Sequence, residues 1–144
     1  MTIKLAGLNG KTVDVPADVL QSFKAAFKGQ LLTPDDAGFE ESRKICNAMI
    51  DRRPGLIARC TGTVDVVQAV RFARHNGLLS SVRGGGHNIA GLAVCAGGLM
   101  IDMSAIVKTI AKRCGARIGL DTSTLGGLRV RVRFPVAVST FERA

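Results

Sequence analysis

The chain has 144 residues, enough for one domain with a modest core. Hydrophobic residues make up 47% of it, which excludes a disordered polyelectrolyte. Twenty basic residues against 11 acidic ones give a formal net charge of +9, and residues 112–144 carry over half of the excess. A basic balance can mean nucleic acid, but this tail offers only Phe134 and Phe141 as aromatics, too few for a base-stacking platform.

In chain order, Ile3 and Leu5 before Asn9-Gly10, and Val13 and Val15 after it, predict a hairpin. From Pro16, the spacing of Val19, Leu20, Phe23 and Phe27 predicts a helix, with Gly29 placed as its C-terminal stop. Leu31-Leu32 reads as a short extended piece. Thr33-Pro34-Asp35-Asp36 is turn chemistry leading into a helix over about Phe39 to Met49. After Pro54, Leu56 to Cys60 reads as a strand and Thr63 as the N-cap of a helix over Val64 to Asn76, whose Val66, Val67, Val70 and Ala73 share one face. Leu79 to Val82 then reads as a second strand, so residues 56–83 have the length of a right-handed parallel βαβ crossover. Leu99 to Asp102 reads as a further strand and Ile106 to Ile110 as another. Leu128 to Phe134 alternates apolar residues with arginine, the pattern of an edge strand guarded by charge.

Between the second and third strands lies Arg83-Gly84-Gly85-Gly86-His87-Asn88-Ile89-Ala90-Gly91. Consecutive glycines can take positive φ and bring backbone N–H groups against a bulky anion, and a pyrophosphate is the obvious guest. The loop leaves the carboxyl end of a strand, where open α/β sheets place their ligands. It is no Walker loop, since Gly-Lys-Ser/Thr is absent, and no dinucleotide fingerprint of the Rossmann type, since position 87 is histidine. The esterase oxyanion motif fails as well, because its serine elbow is missing.

The stretch resembles the flavin loop of FAD-linked oxidases of the vanillyl-alcohol oxidase and berberine bridge enzyme class, whose FAD-binding domain is of the PCMH type. Leu32 to Asp36, Asn47 to Pro54, Ile57 to Cys60 and Gly97 to Ser104 are similar to flanking motifs of that class, so the resemblance covers about residues 23–111. It implies an α+β fold: the first lobe of a PCMH-type FAD-binding domain, a small sheet containing the βαβ crossover, with helices on one side. Residues 1–29 would form an N-terminal hairpin and helix, 30–111 the N-terminal part of the FAD-binding domain, and 112–144 an atypical basic continuation of it.

The resemblance implies FAD held by Arg83, Gly84, Gly85, Gly86, His87, Asn88 and Gly91, with His87 at the position where many relatives bond the flavin 8-methyl carbon. His87 could otherwise be a turn histidine satisfying a carbonyl. Arg83 has three readings: a solvent charge at a strand end, a cation beside the phosphates, or the partner of an internal carboxylate. Asn88 would cap the turn, and Gly91 would permit the exit bend.

The implied function is oxidation of a small-molecule substrate, hydride passing to flavin N5 and then to dioxygen. No catalytic residue can be named. A competing reading is a truncated or frame-altered, inactive fragment, because the family pattern fades beyond residue 111; a basic nucleic-acid module is the weaker rival.

Cys46, Cys60, Cys95 and Cys114 lack metal-ligand spacing, so no metal site is expected. Cys46 and Cys60 read as buried thiols. No segment has signal-peptide or membrane-spanning character, and the expected location is cytoplasmic.

Overall fold

A computed structural model describes residues 2–86, 90–113, 115, 117–122 and 128–133. The chain divides into two compact units, Met1–Ile106 and Val107–Ala144.

The first unit opens with the expected hairpin, β1 (Ile3–Ala6) antiparallel to β2 (Thr12–Val15), with Leu5 opposite Val13. Gly10 has φ +74°, and the Asn9 side chain accepts the Lys11 N–H at 3.0 Å, so this dipeptide turns the chain as its composition predicts. α1 (Ala17–Ala26) starts immediately after Pro16. It ends at Phe27, which is already extended, so Gly29 is not its stop. Gly29 serves a close approach instead: a Cβ there would lie 2.0 Å from the Arg59 carbonyl oxygen.

The main sheet holds β3 (Gln30–Leu32), β4 (Leu56–Arg59), β5 (Ser80–Arg83) and β6 (Leu99–Asp102) in the order β3-β4-β6-β5. β3 runs antiparallel to β4, while β4 and β5 each pair parallel with β6. α3 (Thr63–His75) connects β4 to β5, giving the anticipated βαβ-type crossover, but the crossover skips one position and β6 fills it. α2 (Phe39–Arg43) lies between β3 and β4.

Successive residues of the central strands face opposite sides, and both sides are dry. On one, Leu56, Ala58, Leu99 and Ile101 pack with Phe23 and Phe27 of the α1 region, Phe72 of α3, and Leu5 and Val15 of the hairpin. Phe23 stacks on Phe72 with ring centroids 4.2 Å apart, which locks α1 to α3. On the other, Ile57 and Met100 meet Leu32, Phe39 and Val94, with Ile45 and Ile50 packed around them. Helices therefore do not stand on one side alone: Phe39 brings α2 to the opposite face.

Four local expectations are corrected. The helix expected to run to Met49 stops at Arg43, because Lys44 turns extended and the next residues are committed to the glycine loop. Residues 106–110 are not a strand but the middle of α4 (Ser104–Arg113), a window whose apolar spacing suits either structure. Gly62, not Thr63, occupies the N-cap of α3. Cys46 is exposed, whereas Cys60 is buried, and burial pushes the Cys60 thiol up to about 12.

Asp65, in the first turn of α3, fastens the chain that leads into the helix rather than capping it. Its carboxylate accepts the Thr61 N–H at 2.9 Å, the Thr61 hydroxyl at 2.6 Å and the Lys28 N–H at 2.8 Å, tying the end of α1 to the start of α3. Burial works against the charge, but the bonds from Thr61, Lys28 and Gly29 outweigh it and hold the carboxyl below its usual range. A lowered folded value means stability that is complete above about pH 4 and lost as the pH falls further. Asp65→Ala should cost about 3 kcal/mol at pH 7 in urea unfolding, and the gap from the unaltered protein should narrow at pH 3. An equal gap at both pH values would contradict this account.

The second unit contains the remainder of α4 and β7 (Arg117–Thr122) antiparallel to β8 (Leu128–Arg133), with Leu120 opposite Val130 and Asp121 opposite Arg129. The alternating arginine segment is thus a strand. Residues 123–127, between the two strands, lie outside the described residues.

Candidate cofactor site

The three parallel strands each end on a charged residue, and their register sets those residues side by side: Arg59, Asp102 and Arg83. Asp102 on the central strand is 3% exposed, with Arg83 Nη1 at 3.3 Å and Arg59 Nε at 3.8 Å. Of the three readings of Arg83, the structure shows the pairing with an internal carboxylate. Its guanidinium also donates to the Ser104 hydroxyl at 3.2 Å and to the Lys44 carbonyl at 3.0 Å.

This row of charges carries the glycine loop. Ser104 N–H donates to Asp102 at 3.0 Å, and the Ser104 hydroxyl lies within reach of both Asp102 Oδ1 and the Gly84 carbonyl. The loop's base is therefore fixed to the carboxyl end of β6. Further along, the Cys46 N–H donates to the Gly86 carbonyl at 2.9 Å, and Gly86 takes φ +77°. At the exit, Arg52 Nη1 donates to the Gly91 carbonyl at 3.1 Å, and Gly91, at φ +72°, lies so close to Ile50 that a Cβ would come within 2.3 Å of it. Residues 44–52 thus form a strap along the loop, which is why α2 ends early.

Gly84, Gly85 and Gly86 line a cleft of about 540 Å³ together with Ser80, Ser81, Val82, Leu92 and Ala93. A Cβ at Gly84 would meet nothing within 4 Å, so the space beside the loop is open to a guest. A three-glycine backbone with free approach on one side and fixed carbonyls on the other fits a diphosphate. Of the sequence-predicted residues, Gly84, Gly85 and Gly86 line the cleft, Arg83 braces their base from the end of β5, and Gly91 stands at the loop's exit without lining it; His87 and Asn88 lie outside the described residues. Asp102, Ser104, Cys46 and Arg52 were not anticipated as parts of the site. A signal for the first was available, since the predicted strands Leu56 to Cys60, Leu79 to Val82 and Leu99 to Asp102 each carry a charged residue, Arg59, Arg83 and Asp102, at or within one position of their carboxyl ends.

Residues 54–118 match the FAD binding domain family, a span that includes the glycine loop and extends a little past residue 111. The chain is 35% identical over 117 residues to (R)-6-hydroxynicotine oxidase of Paenarthrobacter nicotinovorans, covering 80% of this chain and 26% of that protein. The chain carries an N-terminal FAD-binding domain of the PCMH-type superfamily that includes the vanillyl-alcohol oxidase and berberine bridge enzyme class. The crystal structure of 6-hydroxy-D-nicotine oxidase from Arthrobacter nicotinovorans superposes with a TM-score of 0.54 at 38% identity, over 66% of this chain and 19% of that one. The Physcomitrella patens BBE-like 1 structure shares the fold at 19% identity, with a TM-score of 0.55 over 74% of this chain and 21% of its own. An uncharacterized FAD-linked oxidoreductase of Bacillus subtilis is 32% identical over 85 residues, 59% of this chain and 19% of that protein. The chain therefore spans about a quarter or less of the length of these relatives. What it holds is an N-terminal FAD-binding lobe of α+β architecture. Among the described residues, no helix is long and apolar enough to cross a membrane, and no cluster of His, Cys, Asp and Glu could hold a metal.

Proposed function

We propose that this lobe holds the FAD diphosphate in the cleft beside Gly84–Gly86, as part of a flavin-dependent oxidase. The observation that carries the reading is the glycine backbone held open at its base, middle and exit by Ser104, Cys46 and Arg52. These anchors take up loop carbonyls, which leaves the amide edge for an anion. Arg83 adds positive charge beside the loop while its guanidinium stays committed to Asp102. Asn88 would cap the turn, and Gly91 gives the chain its exit. His87, next after Gly86, is the residue we assign to covalent attachment at the flavin 8-methyl carbon.

When bound, FAD would supply the redox chemistry, accepting hydride at N5 from a small-molecule substrate with dioxygen as the final electron acceptor. The protein's share is to fix the diphosphate, and through it the position of the ring system. Residues 30–111 would form the N-terminal part of the binding domain, with 1–29 as a hairpin and helix packed ahead of it.

Equilibrium dialysis tests the diphosphate assignment. The protein should retain FAD, ADP should displace it, and riboflavin, which lacks phosphate, should not. Retention that riboflavin competes away as well as ADP does would overturn the assignment.

A further inference from the structure

Among the described residues, two buried side-chain polar atoms have no hydrogen-bond partner: Ser81 Oγ and Arg83 Nε. Both belong to β5, two residues apart and so on the same face of the strand. Both border the glycine turn. Ser81 lines the cleft and is 8% exposed, and Arg83 Nε lies 3.3 Å from where a Gly86 Cβ would stand.

A buried hydroxyl without a partner costs free energy that an alanine at the same position would not. Nothing in the packing accounts for a serine there. Its strand neighbour across the register is Met100, and Val94 packs against Met100 on that face. An apolar residue would suit those surroundings better. The glycine loop next to it offers N–H donors, so a guest in the cleft brings acceptors, and a hydroxyl donor beside them would be satisfied only when that guest is bound.

We infer that Ser81 is a ligand-contacting residue of the cleft, its hydroxyl donating to an anionic oxygen of the dinucleotide's diphosphate. The inference rests on the FAD reading above. It makes Ser81 a group that is unsatisfied in the free protein and bonded in the loaded one. Binding and stability should consequently respond to its removal in opposite directions.

The experiment measures FAD affinity by titration calorimetry and the melting temperature of flavin-free protein, for the unaltered chain and for Ser81→Ala. The substitution should weaken FAD and ADP binding about tenfold, the loss expected for one hydrogen bond to a charged acceptor. It should leave the melting temperature of the flavin-free protein unchanged or raised. Equal FAD affinity in the two proteins overturns the inference while leaving the glycine-loop reading intact. A lowered melting temperature also overturns it, since that is the mark of a hydroxyl serving the fold. Failure of the unaltered chain to bind FAD overturns both readings together.

Discussion

Flavin-loaded protein should keep its yellow colour in an acid-precipitated pellet, and His87→Ala should release all of that colour to the supernatant. Acid unfolds the chain and dissolves any pocket, so flavin held by hydrogen bonds alone is lost, whereas a carbon–nitrogen bond survives. The change is therefore all-or-none. Before acid treatment the His87→Ala protein should still bind FAD, because the backbone donors of Gly84–Gly86 and their anchors do not involve the imidazole. Flavin that washes out of unaltered, loaded protein in acid would refute the role assigned to His87. Loss of all FAD binding on substitution, measured at neutral pH, would instead make the histidine a part of the loop's structure.

Asp102→Ala should cost about 3–5 kcal/mol in urea unfolding, because removing one partner of a buried ion pair leaves the other charge uncompensated. Arg83 is the partner that suffers, at 16% side-chain exposure; Arg59, at 46%, remains solvated and adds little. The Ser104 N–H loses its acceptor as well, so the Ser104 hydroxyl keeps the Gly84 carbonyl but is no longer held in place by the carboxylate of β6. A loss of that size is a large part of what a small domain possesses, so partial unfolding by circular dichroism at 37 °C is expected. Asp102→Asn, which keeps one oxygen for Ser104, should lose less. Unchanged unfolding in Asp102→Ala would remove the charge row from the account of the site.

Much of this arrangement can be read from the residues alone, and the failures have physical causes. α3 is evident as an element because apolar residues recur at helical spacing over 13 residues, but its inward face is not the one expected: Ala69, Phe72 and Ala73 are buried, while Val67 and Val70 are exposed. The window 106–110 is too short for such a recurrence, and its isoleucines and valine suit a strand equally well. α2 looks longer than it is because spacing cannot show that Cys46 gives its N–H to Gly86, a residue 40 positions away in the sequence. Gly29 carries the right letter for a helix stop and has a different task, set by the Arg59 carbonyl it faces. Glycines 84–86 declare a loop that admits an anion. The residues that brace it (Ser104, Arg52, Asp102) do so only through strand order and register, which periodicity does not encode.

The threading of β6 between β4 and β5 bears on how the molecule comes together in time. When residues 56–83 have been synthesised, the two outer strands exist but the slot between them is empty. Either they stand apart with apolar faces wet, or they pair with each other and must later separate. Leu99 to Asp102 closes the sheet only after the whole glycine segment has left the ribosome, at the cost of a long loop closure. The cofactor loop is thereby shaped last, in the same event that completes the core, so a nascent chain has no formed cleft to offer until its apolar interior is sealed. In the interval, the exposed edges of β4 and β5 are the surfaces at which a neighbouring chain could insert a strand of its own, and a chaperone holding residues 56–98 would guard against that misassembly.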